Sequence, residues 1–174
     1  MHNDIKEILF TTEQIEAKAA ELAKQLEIDY ADKKPILLGL LKGSIPFIGD
    51  LMKHMNIPVQ IEFMDVSSYH GGTTSSGQVK ILKDLDTSVE NRHIIIVEDI
   101  VESGLTMQRM IESLGTRNPE SIHICTLLLK PQRLKVPLNI KYTVFSIPND
   151  FILGYGLDYD QQGRQLRDIY TLVE

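Results

Sequence analysis

Two adjacent carboxylates, Glu98 and Asp99, are followed at short distance by Glu102 and then by Ser103, Gly104, Leu105 and Thr106, the densest set of reactive groups in the sequence. Ahead of them lies Ile94-Ile95-Ile96-Val97, four β-branched residues in a row, which reads as a strand buried on both faces of a parallel sheet. Beyond the turn, Met107, Met110, Ile111 and Leu114 recur at i, i+3, i+4 and i+7 and predict a helix. Gly115 stands where a helix C-terminus favours a residue tolerant of positive φ. Such a strand, turn and helix make a natural anion site, because free N–H groups converge at the helix start and the helix dipole adds positive potential. Ser103 and Thr106 add hydroxyl donors, and Gly104 permits close backbone approach.

The residue types narrow the anion. A triphosphate cradle would carry more glycine and a Lys-Ser/Thr pair, and a dinucleotide fingerprint would carry three spaced glycines; neither stands here. One short turn suits one phosphate. Glu98 and Asp99 would repel that phosphate directly, yet they can accept hydrogen bonds from vicinal hydroxyls or hold the water shell of Mg²⁺. A ribose 5-phosphate meets all of these demands. The other reading of the same residues is a structural turn with solvated carboxylates that cap the helix.

An alternating α/β pattern supplies the elements that must position this turn. Thr11 and Gln14 form a candidate capping box before a helix from about residue 12 to 26, with Ile15, Ala19, Leu22 and Leu26 on one face. Pro35 to Leu41 reads as a buried strand, followed by a turn and a helix from about Pro46 to Met55. Val59, Ile61 and Phe63 alternate with Gln60 and Glu62, which predicts a strand with one more exposed face, toward a sheet edge. Residues 121 to 129 and 142 to 147, with a shorter stretch at 168 to 173, supply further strands. The order fits a doubly wound sheet whose ligand lies outside the carboxyl ends of its strands.

At 174 residues, 43% of them hydrophobic and 24% charged, the chain suits one compact domain over residues 1–174. The lone Cys125 permits no internal disulfide, and the N-terminal residues lack the basic and apolar regions of a signal peptide, which points to the cytoplasm. No apolar run approaches a membrane span. A net charge of −6 argues against a nucleic-acid surface.

Three further segments carry polar chemistry. Lys42-Gly43-Ser44 follows the first core strand as a second turn, and Lys130 closes the apolar run at 121 to 129. Ser67 to Gln78 is a long polar loop almost free of apolar anchors, the composition of a lid or of a plain loop tip. From composition alone Lys130 could end a strand in solvent, Phe151 and Ile152 could be core, and Asp158 and Arg164 could be surface charges.

Taken together, Val97-Glu98-Asp99-Ile100-Val101-Glu102-Ser103-Gly104-Leu105-Thr106 resembles the phosphoribosyl-diphosphate motif of type I phosphoribosyltransferases, in their hypoxanthine-guanine branch. Leu41-Lys42-Gly43-Ser44, Ser67-Ser68-Tyr69, Leu129-Lys130 and the run from Phe151 to Tyr159 resemble other segments of that family, in the same order. The resemblance extends from about residue 36 to the C-terminus. It implies a doubly wound, mostly parallel sheet flanked by helices, with a small hood from the N- and C-terminal segments and a mobile lid loop.

The implied activity is purine salvage: Mg²⁺-dependent transfer of 5-phosphoribosyl from phosphoribosyl diphosphate to hypoxanthine, and to guanine, giving IMP or GMP and diphosphate. The resemblance assigns the 5-phosphate to Ser103, Gly104, Leu105 and Thr106, and the ribose to Glu98 and Asp99. It assigns diphosphate to Lys42, Gly43 and Arg164, with a cis-capable peptide between Leu41 and Lys42. Ser68 and Tyr69 would form the lid. Lys130 would read the purine at C6, Phe151 would stack on the ring, and the Ile152 backbone would meet its pyrimidine edge. Glu98, Asp99 and Asp158 would approach metal. Glu102 would take the purine proton, although the family usually has aspartate there; glutamate keeps the carboxylate while changing its reach. A homodimer or homotetramer is also implied. A xanthine-preferring enzyme and a non-catalytic regulator that senses phosphoribosyl diphosphate are the alternatives.

Overall fold

The structure is a computed structural model and describes residues 4–68 and 79–173. In chain order its elements are β1 (Ile5–Phe10), α1 (Thr12–Asp29), β2 (Ile36–Leu40), α2 (Ile45–Lys53), β3 (Gln60–Ser68), β4 (Val79–Lys83), β5 (His93–Val101), α3 (Leu105–Gly115), β6 (Ser121–Leu129), β7 (Tyr142–Ser146), β8 (Ile152–Leu153) and β9 (Ile169–Leu172). A 3₁₀ turn at Pro131–Arg133 follows β6. The expected lid falls on Ser68, the last residue of β3, and on Tyr69 in the segment 69–78, which lies outside the described residues.

The main sheet has the order β4-β3-β2-β5-β6-β7, with every neighbouring pair parallel except β3 and β4. From β2 the chain steps to β3 on one side, and later resumes with β5 on the other side of β2. The direction of strand order therefore reverses between β2 and β5, and a crevice opens beyond their carboxyl ends. Side chains of the buried strands alternate between two cores, as a pleat requires. Leu37, Ile95 and Val97 pack with α1 and α2 on one face, while Ile36, Leu38, Ile94 and Ile96 pack with α3 on the other. The unbroken apolar runs follow from this two-sided burial.

Helix α1 begins with the predicted capping box: the Thr11 hydroxyl accepts from the Gln14 N–H, and the Gln14 side chain accepts from the Thr11 N–H. It continues one turn past the predicted end. Two other expectations change. The strand begun near Val59 is not an edge, because β4 adds antiparallel to it and becomes the edge itself. Gly115 is the last residue of α3 and has no positive φ; the left-handed residue that turns the chain is Asn118, at φ 55°.

A second, three-stranded antiparallel sheet, β1-β9-β8, forms the hood from the two ends of the chain. It is tied to the helical layer at Asp168, whose Oδ1 accepts from the Thr12 N–H at 2.6 Å. That N–H, with help from the Thr12 hydroxyl and the Tyr170 phenol, holds the Asp168 carboxyl below its ordinary range. A carboxyl lowered in the folded state adds stability above its unfolded pKa and loses it as the pH falls through the folded value. Asp168→Asn should therefore cost about 1 kcal/mol at neutral pH. The difference should narrow as the pH falls below about 4. Urea midpoints at pH 7 and pH 3 check this.

Candidate active site

At the end of β5 the chain turns through Gly104, whose φ of 80° lies in the left-handed region. A Cβ there would also meet Leu138 Cδ1 at 2.7 Å, with Val136 and Leu134 close by, so the segment after the 3₁₀ turn props the loop from behind. The Ser103 carbonyl, accepting from the Lys135 N–H at 2.9 Å, adds to that support. Helix α3 then starts with no side-chain cap and no acidic residue in its first turn. Of its opening N–H groups, which have no intrahelical acceptors, that of Leu105 donates to the Ser103 hydroxyl at 3.3 Å, and the others suit an incoming anion. Ser103, Gly104, Thr106 and Met107, with Glu98 and Glu102, line a cavity of about 250 Å³ in front of this turn.

Glu98 and Asp99 occupy the neighbouring strand end. Burial pushes the Glu98 carboxyl well above its ordinary range, and the Asp99 charge beside it pushes further. Burial also raises Asp99, against the pull of its hydrogen bonds and of the Arg164 guanidinium. Each side chain turns partly onto backbone: Glu98 Oε1 accepts from the Asp99 N–H at 3.0 Å, and Asp99 Oδ1 from the Ile100 N–H at 2.6 Å. Two close, partly desolvated carboxylates are the donor set of a hard divalent cation. Among the described residues no group of three or more acidic, His or Cys side chains gathers as a metal cluster. The pair Glu98 and Asp99 is the kind of donor set Mg²⁺ uses, since that ion commonly takes one or two carboxylates and completes its octahedron with ligand oxygens and water.

The β2–α2 turn faces this pair across the crevice. A Cβ on Gly43 would stand 1.7 Å from Asp99 Oδ2, so any larger residue there would push the Asp99 carboxylate aside. The peptide between Leu41 and Lys42 is cis, as the resemblance implies, and the Lys42 side chain is exposed. The buried Ser44 hydroxyl donates to the Leu40 carbonyl at 2.6 Å and closes the turn.

Lys130 does not end its strand in solvent. It is only 5% exposed, and its ammonium donates to Glu102 Oε1 at 2.6 Å. Phe151 is not core either; at 60% exposure its ring is open to a ligand, and Ile152 beside it is half-buried. The residue assigned to proton transfer and the residue assigned to reading the purine are thus in contact.

Arg164 and Asp158 lie in the hood turn after β8. Arg164 Nη1 donates to the Gly156 carbonyl at 2.8 Å, and Nη2 stands 3.0 Å from Asp158 Oδ1. Asp158 Oδ2 accepts from the Gln161 N–H, so its carboxylate is engaged within the turn. A Cβ on Gly156 would reach the Gly43 carbonyl at 2.1 Å, which brings this turn directly onto the β2–α2 turn. Sequence reasoning did not find Gly156 or its neighbour Tyr155 as site residues. The available signal was the Gly154-Tyr155-Gly156 triplet, in which two glycines flank an aromatic.

An α/β sheet whose switch point joins a phosphate-ready helix start to a carboxylate pair defines a protein of the sugar-phosphate-binding class. The phosphoribosyl transferase domain model matches residues 6–160. A hypoxanthine-guanine phosphoribosyltransferase of Streptococcus mutans is 47% identical over 174 residues, covering 100% of this chain and 97% of the relative. The crystal structure of a hypoxanthine phosphoribosyltransferase from Staphylococcus aureus superposes with a TM-score of 0.95 at 48% identity, covering 99% of this chain and 94% of that one. A hypoxanthine-guanine phosphoribosyltransferase from Bacillus anthracis gives a TM-score of 0.94 at 40% identity, over 98% of this chain and 100% of its own. The chain belongs to the phosphoribosyltransferase family.

The raised Glu98 carboxyl has a measurable consequence. A carboxyl raised on folding binds its proton more tightly in the native state, so the ligand-free protein loses stability as the pH climbs from the ordinary carboxylate range through the raised value. Glu98→Gln should flatten that part of the melting-temperature profile and should melt a few degrees higher than the parent at alkaline pH. A parallel profile for the two proteins would contradict the assignment.

Proposed function

We infer that this protein transfers the 5-phosphoribosyl group of phosphoribosyl diphosphate to N9 of hypoxanthine, and of guanine, giving IMP or GMP and diphosphate in purine salvage. The observation that carries the choice of acceptor is the Lys130–Glu102 pair, 2.6 Å apart at the cavity edge. A 6-oxopurine presents the complementary groups, a carbonyl oxygen for the ammonium and a ring N–H for the carboxylate. Adenine offers an amino donor where the oxygen would be, and Lys130 has no lone pair to accept it. The exposed Phe151 ring supplies a stacking surface, and the Ile152 backbone lies next to it for the pyrimidine edge.

In this reading Ser103, Gly104, Leu105 and Thr106 hold the 5-phosphate at the start of α3, and Glu98 and Asp99 accept from the ribose hydroxyls. As diphosphate departs, positive charge grows on the ribose ring, and the neighbouring carboxylates stabilise it. The Lys42-Gly43 turn and Arg164 receive the leaving oxygens with N–H and guanidinium donors. The purine attacks from the opposite side, so the anomeric centre inverts, and Glu102 accepts the ring proton as the bond to N9 forms. Ser68 and Tyr69 would close over the site and exclude water. Mg²⁺, held by Glu98 and Asp99 with a second ion near Asp158, would neutralise charge on the diphosphate oxygens.

The net charge of −6 supports a small-molecule role without nucleic acid. Among the described residues no helix is long and apolar enough to cross a membrane. The cytoplasm is the proposed compartment, and assembly as a homodimer or homotetramer rests on the family resemblance.

An assay of diphosphate release with hypoxanthine, guanine, xanthine and adenine tests the acceptor. Hypoxanthine and guanine should be used, and adenine should not. Lys130→Met should lower kcat/KM for the oxopurines by about 100-fold. Glu102→Gln should lower kcat by about 100-fold or more, and Glu102→Asp by far less. Full activity in Glu102→Gln, or equal use of adenine, would overturn this assignment.

A further inference from the structure

The hood turn contains a side chain that its own backbone disfavours. Gly154, Tyr155 and Gly156 stand in succession at φ 101°, 49° and 96°. Glycine is at home there, but a left-handed conformation is unfavourable for a tyrosine, whose Cβ crowds the following carbonyl. A bulky residue persists in such a conformation where its surroundings hold it, and these positions concentrate at functional sites.

Tyr155 is held at both ends. Its N–H donates to the Leu166 carbonyl at 2.8 Å, inside the hood. Its ring is buried, and its phenol crosses to α2, donating to Asp50 Oδ2 and lying 3.4 Å from the Pro46 carbonyl. The other oxygen of Asp50, Oδ1, stands 2.8 Å from Lys53 Nζ. The phenol therefore bolts the hood turn to the first turns of the helix that the Lys42-Gly43-Ser44 turn begins. One residue further on, Gly156 rests against the Gly43 carbonyl and the Pro46 ring. Its own carbonyl accepts from Arg164.

We propose that Tyr155, through Asp50, is a positioning residue that sets the spacing between the two halves of the diphosphate subsite, the Lys42-Gly43 turn on the sheet and Arg164 in the hood. The proposal rests on the diphosphate assignment above and adds the device that holds its halves in register. Purine contacts do not depend on it. Ile152 and Leu153 are anchored separately by strand pairing to Thr171 and Tyr170, and Lys130 belongs to the main sheet. Releasing the phenol should loosen the diphosphate side alone.

The test is a split in Michaelis constants. Tyr155→Phe should raise KM for phosphoribosyl diphosphate, and Kd for diphosphate by calorimetry, about five- to tenfold, the loss expected for one hydrogen bond to a charged acceptor. KM for hypoxanthine should stay within about twofold. Asp50→Ala should reproduce the shift, and the double variant should be no worse than either single one, since both remove the same interaction. Lys53→Ala should leave both constants unchanged. Equal rises in both KM values, additive losses, an unmoved Kd, or the same defect in Lys53→Ala would each overturn the proposal. If Tyr155→Phe does not fold, Asp50→Ala carries the comparison with the ring in place, and the presence or absence of the split there decides. Arg164→Ala separates the two levels: a normal diphosphate Kd in that variant means the subsite assignment has failed. A weakened Kd there beside a normal one in Tyr155→Phe means that only the positioning role has failed.

Discussion

Close backbone approach at Gly43 is the constraint on which the arrangement of the crevice depends. On one side Gly43 meets the Asp99 carboxylate with no room for a Cβ, and its carbonyl is covered by Gly156 with no room for one either. Three segments distant in sequence, the end of β5, the β2–α2 turn and the hood turn, are thereby stacked in van der Waals contact. A side chain at Gly156 would have to displace the Gly43 backbone, and one at Gly43 the Asp99 carboxylate. The crevice owes its dimensions to what these two positions lack, and the sheet beneath supplies the rigidity, because β2 and β5 are buried on both faces and paired along their length.

Charge is distributed over this stack so that opposite demands stay apart. The helix start at Gly104 is free of acidic side chains in its first turn, while the acidic pair stands on the strand just before it. If the carboxylates were moved into the helix turn, they would satisfy its N–H groups internally and displace an anion. Kept on the strand, they are crowded against each other and against protein, and burial with the Asp99 charge raises the Glu98 carboxyl well above its ordinary range. The proposed ligand, which brings both a phosphate and hydroxyl donors, would meet both halves of this arrangement. A ligand with the phosphate alone would leave the acidic pair uncompensated.

The parts of this plan that were legible in the sequence are those written in local pattern. The strand at Ile94 to Val97, the helix spacing from Met107 and the capping box at Thr11 are each decided by neighbours within a few residues, and each stands as read. What depends on distant partners was not legible. β4 has an exposed, weakly patterned sequence and exists because β3 offers it an edge, which also removes β3 from the edge itself. β1 and β8 are strands only through β9. Gly115 looked like a helix terminator, yet the reversal is made at Asn118, whose N–H is satisfied by the Gly115 carbonyl. The partner of the buried Lys130 ammonium is Glu102, 28 residues away, and that of the Tyr155 phenol is Asp50, 105 residues away.

The glutamate at position 102 gains its meaning from that long-range pairing. A carboxylate on the turn after β5 must reach across to the end of β6 to meet the buried ammonium, and the contact at 2.6 Å shows that a glutamate side chain spans the gap. Glu102 is half-exposed, whereas Lys130 is enclosed. A ligand that supplies an oxygen to Lys130 removes the reason for Glu102 to stay against it, and the freed carboxylate is then available to a proton on the same ligand. In the proposed reaction the longer side chain would let one residue serve both as the counter-ion of Lys130 and as the acceptor of the purine proton. A shorter acid at this position would have to give up reach toward one of those partners.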